Sequence, residues 1–119
     1  MKKIISTKLH GMLDYACGFI LILPWAVNYF GDKTDTGILA LLGMLTILAS
    51  LITNYELGII KLIPMKLHLA VDTLQALFLI AIPFIFPLHH YLFYWPVFFG
   101  IAELIIILCS SSEPFKKEA

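Results

Sequence analysis

His10 and Asp14 stand four residues apart in "KLHGMLD" (residues 8–14), and His68 and Asp72 stand four apart in "KLHLAVD" (residues 66–72). Residues four apart share one face of a helix. Each stretch therefore presents an imidazole beside a carboxylate. Two imidazoles with two carboxylates form a nitrogen and oxygen set suited to Zn, Fe or Mn. Four-helix bundles build metal sites from inward Glu and His side chains. Glu103, inside a later apolar run, is a candidate fifth partner. In a variant of this chemistry each Asp holds the distal nitrogen of a ligating His.

Other chemistries use the same residues. Haem would take His10 and His68 as axial ligands, although the chain has no CxxCH. A proton or small-solute pathway would use His, Asp and Glu inside the membrane as relays. Four short spans leave little room for such a path in one chain, so that function requires a homo-oligomer. In a structural role, the His and Asp pairs only satisfy one another and fix helix register. Ser50, Ser110, Ser111 and Ser112 offer hydroxyls near helix ends, but no nucleophile-elbow pattern surrounds them.

The elements that carry these residues are strongly apolar. Of 119 residues, 61% are hydrophobic and 13% charged, against about 45–50% and about 25% in soluble domains. So short a chain cannot bury that much apolar surface in a soluble core. The excess must face a lipid bilayer, the first partner of this protein. The formal net charge is zero, which gives no long-range attraction to nucleic acid. The chain has no Arg, so bidentate guanidinium recognition is excluded. Cys17 and Cys109 lie in apolar runs outside any CxxC pattern and read as small buried residues. The N-terminus has the basic start and apolar run of a signal peptide. Asp14 interrupts that run, and the same pattern recurs at Lys66, so the segment is read as a mature helix.

Four apolar segments follow: residues 9–30, 37–52, 67–86 and 91–109. A span takes roughly 20 helical residues. The first, third and fourth meet that length. The second does so only if residues 34–36 or 53–55 extend it. Short links make successive helices antiparallel neighbours. His89 and His90 fall in an outer turn, as solvated side chains. Lys2, Lys3, Lys8, Lys61, Lys66, Lys116 and Lys117 lie on one side and Lys33 on the other. The positive-inside rule then places both termini in the cytoplasm. Trp25, Tyr29, Tyr91, Tyr94 and Trp95 gather at the opposite boundary as an aromatic belt.

The segments repeat. Lys8, Leu9, His10 and Asp14 match Lys66, Leu67, His68 and Asp72 at an offset of 58, while Gly43 with Gly100 and Glu56 with Glu113 match at 57. The unit is a helical hairpin made twice, about residues 8–57 and 66–114 of a single membrane domain. Parallel repeats of this kind are related by an axis along the membrane normal. The expected fold is all-α: a four-helix transmembrane bundle built from two tandem hairpins. At 1.5 Å rise per residue, Asp14 and Asp72 lie roughly 9 Å beyond their lysines, and Glu103 reaches a similar depth. His10, Asp14, His68, Asp72 and Glu103 are therefore expected in one layer.

The chain also resembles the SPW-repeat family of small bacterial integral membrane proteins, over nearly its whole length. The likeness rests on His10 and Asp14 followed by Pro24 and Trp25, on the "NYELGIIKLIPMKLH" link, and on His68 and Asp72 followed by Pro83 and Phe84. The family is named for Ser-Pro-Trp. Here Leu23 and Ile82 take the serine position, which removes any role for that serine. The resemblance implies a four-span protein of the bacterial cytoplasmic membrane and brings no established activity with it.

Overall fold

Ser6 starts the first helix: its hydroxyl accepts the Leu9 amide at 3.1 Å, capping α1 (Thr7–Ala26). In a computed structural model of the chain, which describes residues 3–29, 33–86 and 93–115, three further helices follow. These are α2 (Lys33–Leu51), α3 (Met65–Ile85) and α4 (Tyr94–Cys109). Asp35 sits in the first turn of α2, where exposed amides and the helix dipole favour negative charge. That polar turn extends the second apolar segment at its N-terminal side, and the stretch Thr34–Leu51 becomes long enough to cross a bilayer.

Three helices, in α1, α2 and α3, are long and apolar enough to span a membrane. The expectation for the fourth segment is corrected: α4 is apolar but has 16 residues. Pro96 lies in the first turn of α4, where its missing N–H costs no intrahelical hydrogen bond. Pro87, His89, His90, Tyr91, Lys116 and Lys117 lie outside the described residues.

α1 packs chiefly on α2, and α3 on α4; α2–α3 and α1–α4 contacts join the two pairs. Small residues permit both close crossings. A Cβ on Gly43 would lie 2.6 Å from the Gly18 carbonyl oxygen, and one on Gly100 would lie 2.6 Å from the Ala76 carbonyl oxygen. Such small-residue contacts let helix backbones approach closely. Gly18 and Gly43 are thus answered by Ala76 and Gly100 at the repeat offsets.

The helix ends are joined in matching ways. Ile63 donates its amide to the Ile52 carbonyl (3.0 Å), and its own carbonyl accepts from Asn54 (2.8 Å). Ile5 donates to the Cys109 carbonyl (2.9 Å), and its carbonyl accepts from Ser111 (2.9 Å). Each pair forms a short parallel bridge, Thr53 with Ile63 and Ile5 with Ser110. These bridges fix the ends of α2 and α4 beside the starts of α3 and α1.

The interior is divided along its length. Leu21, Leu39, Leu42, Leu79, Ile82 and Phe99 form an apolar core. Nearer the bridges, the buried side chains are polar: Thr7, His10, Asp14, Ser50, Thr53, His68, Asp72 and Ser110. Meanwhile Phe19 (62%), Leu74 (70%) and Phe98 (67%) are largely exposed. Soluble proteins bury ionisable groups rarely and large apolar side chains often. Here ionisable side chains are buried while large apolar ones lie on the surface of helices long and apolar enough to cross a membrane.

Candidate metal centre

His10 and Asp14 face inward from α1, and His68 and Asp72 from α3; none is more than 2% exposed. The shared face expected within each helix is present. His10 Nε2 lies 3.1 Å from Asp14 Oδ2, and His68 Nε2 lies 2.9 Å from Asp72 Oδ2. The helices also exchange partners. His10 Nε2 is 2.9 Å from Asp72 Oδ2, and His68 Nε2 is 2.8 Å from Asp14 Oδ2. Each imidazole therefore meets both carboxylates. The two rings stand edge to face, with centroids 5.5 Å apart. One ligand atom from each of the four residues falls in a cluster whose members all lie within 4.8 Å of one another.

The outer nitrogens decide which protons are available. Ser110 Oγ lies 2.5 Å from the Ile106 carbonyl, and Thr53 Oγ1 lies 2.5 Å from the Ala49 carbonyl. Each hydroxyl has one proton and gives it to the carbonyl four residues back. Its oxygen is then left to accept. His10 Nδ1 is 2.9 Å from Ser110 Oγ, and His68 Nδ1 is 2.8 Å from Thr53 Oγ1. Both Nδ1 atoms must carry hydrogen and donate. The hydrogen bond at one imidazole nitrogen thus sets the state of the other. In a neutral ring, Nε2 turns a bare lone pair to the centre.

Two Nε2 lone pairs and two carboxylate oxygens cannot crowd together without positive charge among them. Two protons, one on each Nε2, would supply it. One divalent cation would supply the same amount. Either filling brings the four side chains to zero net charge, the condition a low-dielectric interior demands.

Surrounding groups tie the layer to the rest of the chain. Ser50 of α2 lies 3.4 Å from Asp14 Oδ2. Tyr55 is fully buried, with its ring over Gly11 and its centroid 5.9 Å from that of His68. Among the described residues, its hydroxyl is the one buried side-chain polar atom without a hydrogen-bond partner. Glu103, 4% exposed on α4, lies outside the cluster of ligand atoms.

Compared with protein-family models, with curated proteins and with solved structures, the chain matches none of them. The site is therefore understood from its own atoms. His10, Asp14, His68 and Asp72 are brought together, while Glu103 is buried on α4 outside their cluster. Sequence reasoning missed Thr53 and treated Ser110 only as a nucleophile. The repeat offers the signal for both: the offset of 57 that pairs Gly43 with Gly100 also pairs Thr53 with Ser110, hydroxyl with hydroxyl.

Proposed function

We propose that the chain is a small integral membrane protein of two tandem hairpins whose His10, Asp14, His68 and Asp72 bind one divalent metal ion. The observation that carries this reading is the direction of the imidazoles. Both Nδ1 protons are held outward by hydroxyl oxygens, so both Nε2 atoms and both Oδ2 atoms point at one spot. Zinc-type bonds of about 2.0–2.2 Å require tetrahedral ligand edges of about 3.3–3.5 Å. The N–O edges here are 2.8–3.1 Å. An outward shift of a few tenths of an ångström along these four edges brings them to that length.

The resemblance to the SPW-repeat family, the matched bridges and the matched small-residue crossings support the two-hairpin reading. Lysine placement supports cytoplasmic termini in a bacterial inner membrane, and the shorter α4 completes the bundle. A haem plane is disfavoured because Asp14 and Asp72 occupy the space between the two Nε2 atoms. A solute path through one chain is disfavoured by the apolar core that follows the polar layer.

The rival with specific support is a structural lock, in which two protons fill the centre instead of an ion. Elemental analysis on protein purified in mild detergent, without a metal-binding tag, separates the two. Under the metal reading, near-stoichiometric metal is found, and chelator lowers the Tm of the wild type while leaving His10→Ala/His68→Ala nearly unmoved. Each ion bound displaces the protons that would otherwise occupy the ligands, so the measured affinity weakens as pH is lowered. A metal-free protein whose Tm ignores added Zn, Mn and Fe establishes the lock.

A further inference from the structure

The repeat reaches past the helices into the segments that precede α1 and α3. At the offset of 58, Lys3, Ile4, Ile5 and Lys8 are answered by Lys61, Leu62, Ile63 and Lys66. Ile5 and Ile63 make the two parallel bridges and are half-buried. Neighbouring side chains in bridged backbone alternate in direction. Ile4 and Leu62 accordingly turn outward, and each is 71% exposed. Ile59 and Ile60, in the same link as Leu62, are exposed as well. None of these four belongs to a helix that could cross a bilayer, so a hydrocarbon core does not account for their exposure.

Each outward apolar residue stands next to a lysine whose charge is held in place. Lys3 Nζ donates to the Leu108 carbonyl at the end of α4 (3.0 Å). Lys61 Nζ donates to the Tyr55 carbonyl (2.8 Å) and the Gly58 carbonyl (3.4 Å). An ammonium group has three donors, so both retain capacity for a further acceptor. Lys8 and Lys66 occupy the first turns of α1 and α3, which hold no acidic residue. The helix dipole opposes a cation there, so helix stability does not explain this matched pair. All four lysines are exposed. Among the described residues, the acids of the links and tail at this end are Glu56 and Glu113, and Glu56 already accepts from Thr7 and Phe115. Exposed lysines beside exposed apolar side chains complement the boundary of an anionic bilayer, where phosphates lie just outside the acyl chains. We propose, resting on the membrane reading above, that Lys3, Ile4 and Lys8 on one side, and Lys61, Leu62 and Lys66 on the other, form two equivalent docking surfaces for anionic phospholipid. The ammonium groups meet the headgroup phosphate, and Ile4, Leu62, Ile59 and Ile60 enter the adjoining acyl region. A zwitterionic headgroup carries its own cation, which cancels the attraction, so the preference is for lipids of net negative charge.

The test uses the full-length protein in mild non-ionic detergent, titrated with dioleoyl phosphatidylglycerol or dioleoyl phosphatidylcholine, with bound lipid counted by native mass spectrometry. The wild type is expected to hold phosphatidylglycerol about tenfold more tightly than phosphatidylcholine. Lys8→Gln/Lys66→Gln leaves the carbonyl bonds of Lys3 and Lys61 in place and is expected to remove most of that preference. Ile4→Ser/Leu62→Ser is expected to weaken both lipids alike and keep the preference; binding unchanged in this variant overturns the apolar half of the surface. If the lysine variant fails to fold, salt supplies the same test on the wild type. Raising it from about 0.05 M to about 0.5 M shortens the screening length and should shrink the preference. Equal binding of the two lipids by the wild type, or an undiminished preference in the folded lysine variant, overturns the proposal. Displacement of phosphatidylglycerol by inorganic phosphate also overturns it, by assigning the lysines to a soluble anion. A wild type that stays monodisperse without detergent and takes up neither lipid removes the membrane reading with it.

Discussion

Thr53 and Ser110 each give their only hydroxyl proton to a carbonyl on their own helix, and so turn an acceptor toward an imidazole. Replacing that oxygen leaves a buried Nδ1–H unpaired, at a cost of about 1–3 kcal/mol. Loss of such an outer partner also weakens metal affinity about 10–100-fold. Thr53→Val and Ser110→Ala are expected to show losses of similar size, read by metal titration and by Tm. A loss confined to one of them would mean that only one imidazole is held. The two His/Asp pairs were legible from spacing alone, because residues four apart share a helix face. Their cross-pairing was not legible. Spacing says which side of α1 carries Asp14, but not that the imidazole opposite belongs to α3. The hydroxyls were hidden for the same reason, since they arrive from the ends of α2 and α4.

The helices differ from their apolar runs at their first turns. α2 includes Thr34, Asp35 and Thr36, which lie outside the second apolar run of residues 37–52. A first helical turn tolerates polar groups because its amides lack intrahelical partners. α4 carries Pro96 in its first turn. What holds the helices at the right distance is more compact than any apolar stripe. Gly43 and Gly100 let the backbones of each pair meet, with 2.6 Å between a would-be Cβ and a carbonyl oxygen in both cases. Gly43→Val and Gly100→Val should each destabilise the protein by about 1–3 kcal/mol through overpacking. The corresponding fall in Tm is measured by thermal unfolding in detergent. Gly43→Val should also weaken metal binding, because α2 carries Ser50 and leads into Thr53.

At the level of the whole molecule, the excess of apolar residues made the apolar exterior legible before any element was placed. The closure of the polar end was not, because it depends on contacts between distant segments. Glu56 accepts the Thr7 hydroxyl at 2.6 Å with one oxygen and the Phe115 amide at 2.9 Å with the other. Lys61 donates to the Tyr55 carbonyl at 2.8 Å and lies 4.9 Å from the Phe115 ring centroid. Partial burial opposes ionisation of Glu56, but the Thr7 and backbone hydrogen bonds, with Lys8 nearby, hold its carboxyl below the usual range. A lowered value in the folded state means a contribution that is complete above the ordinary glutamate pKa of about 4.3. That contribution fades as pH falls through the lower folded value. The Tm difference between wild type and Glu56→Gln is therefore expected to shrink as pH is lowered from about 6 to about 3. At the repeat offset of 57 Glu103 answers Thr46, and that mismatch bears on ancestry. A single hairpin pairing with its own copy would be bound to carry the same residue on both sides, since one gene would encode both. On the two-hairpin reading proposed above, the two copies share one chain, and that bond is gone. Once Thr46 and Glu103 are separate codons, one side can keep a hydroxyl while the other takes a carboxyl group, and a symmetric cluster gains a direction.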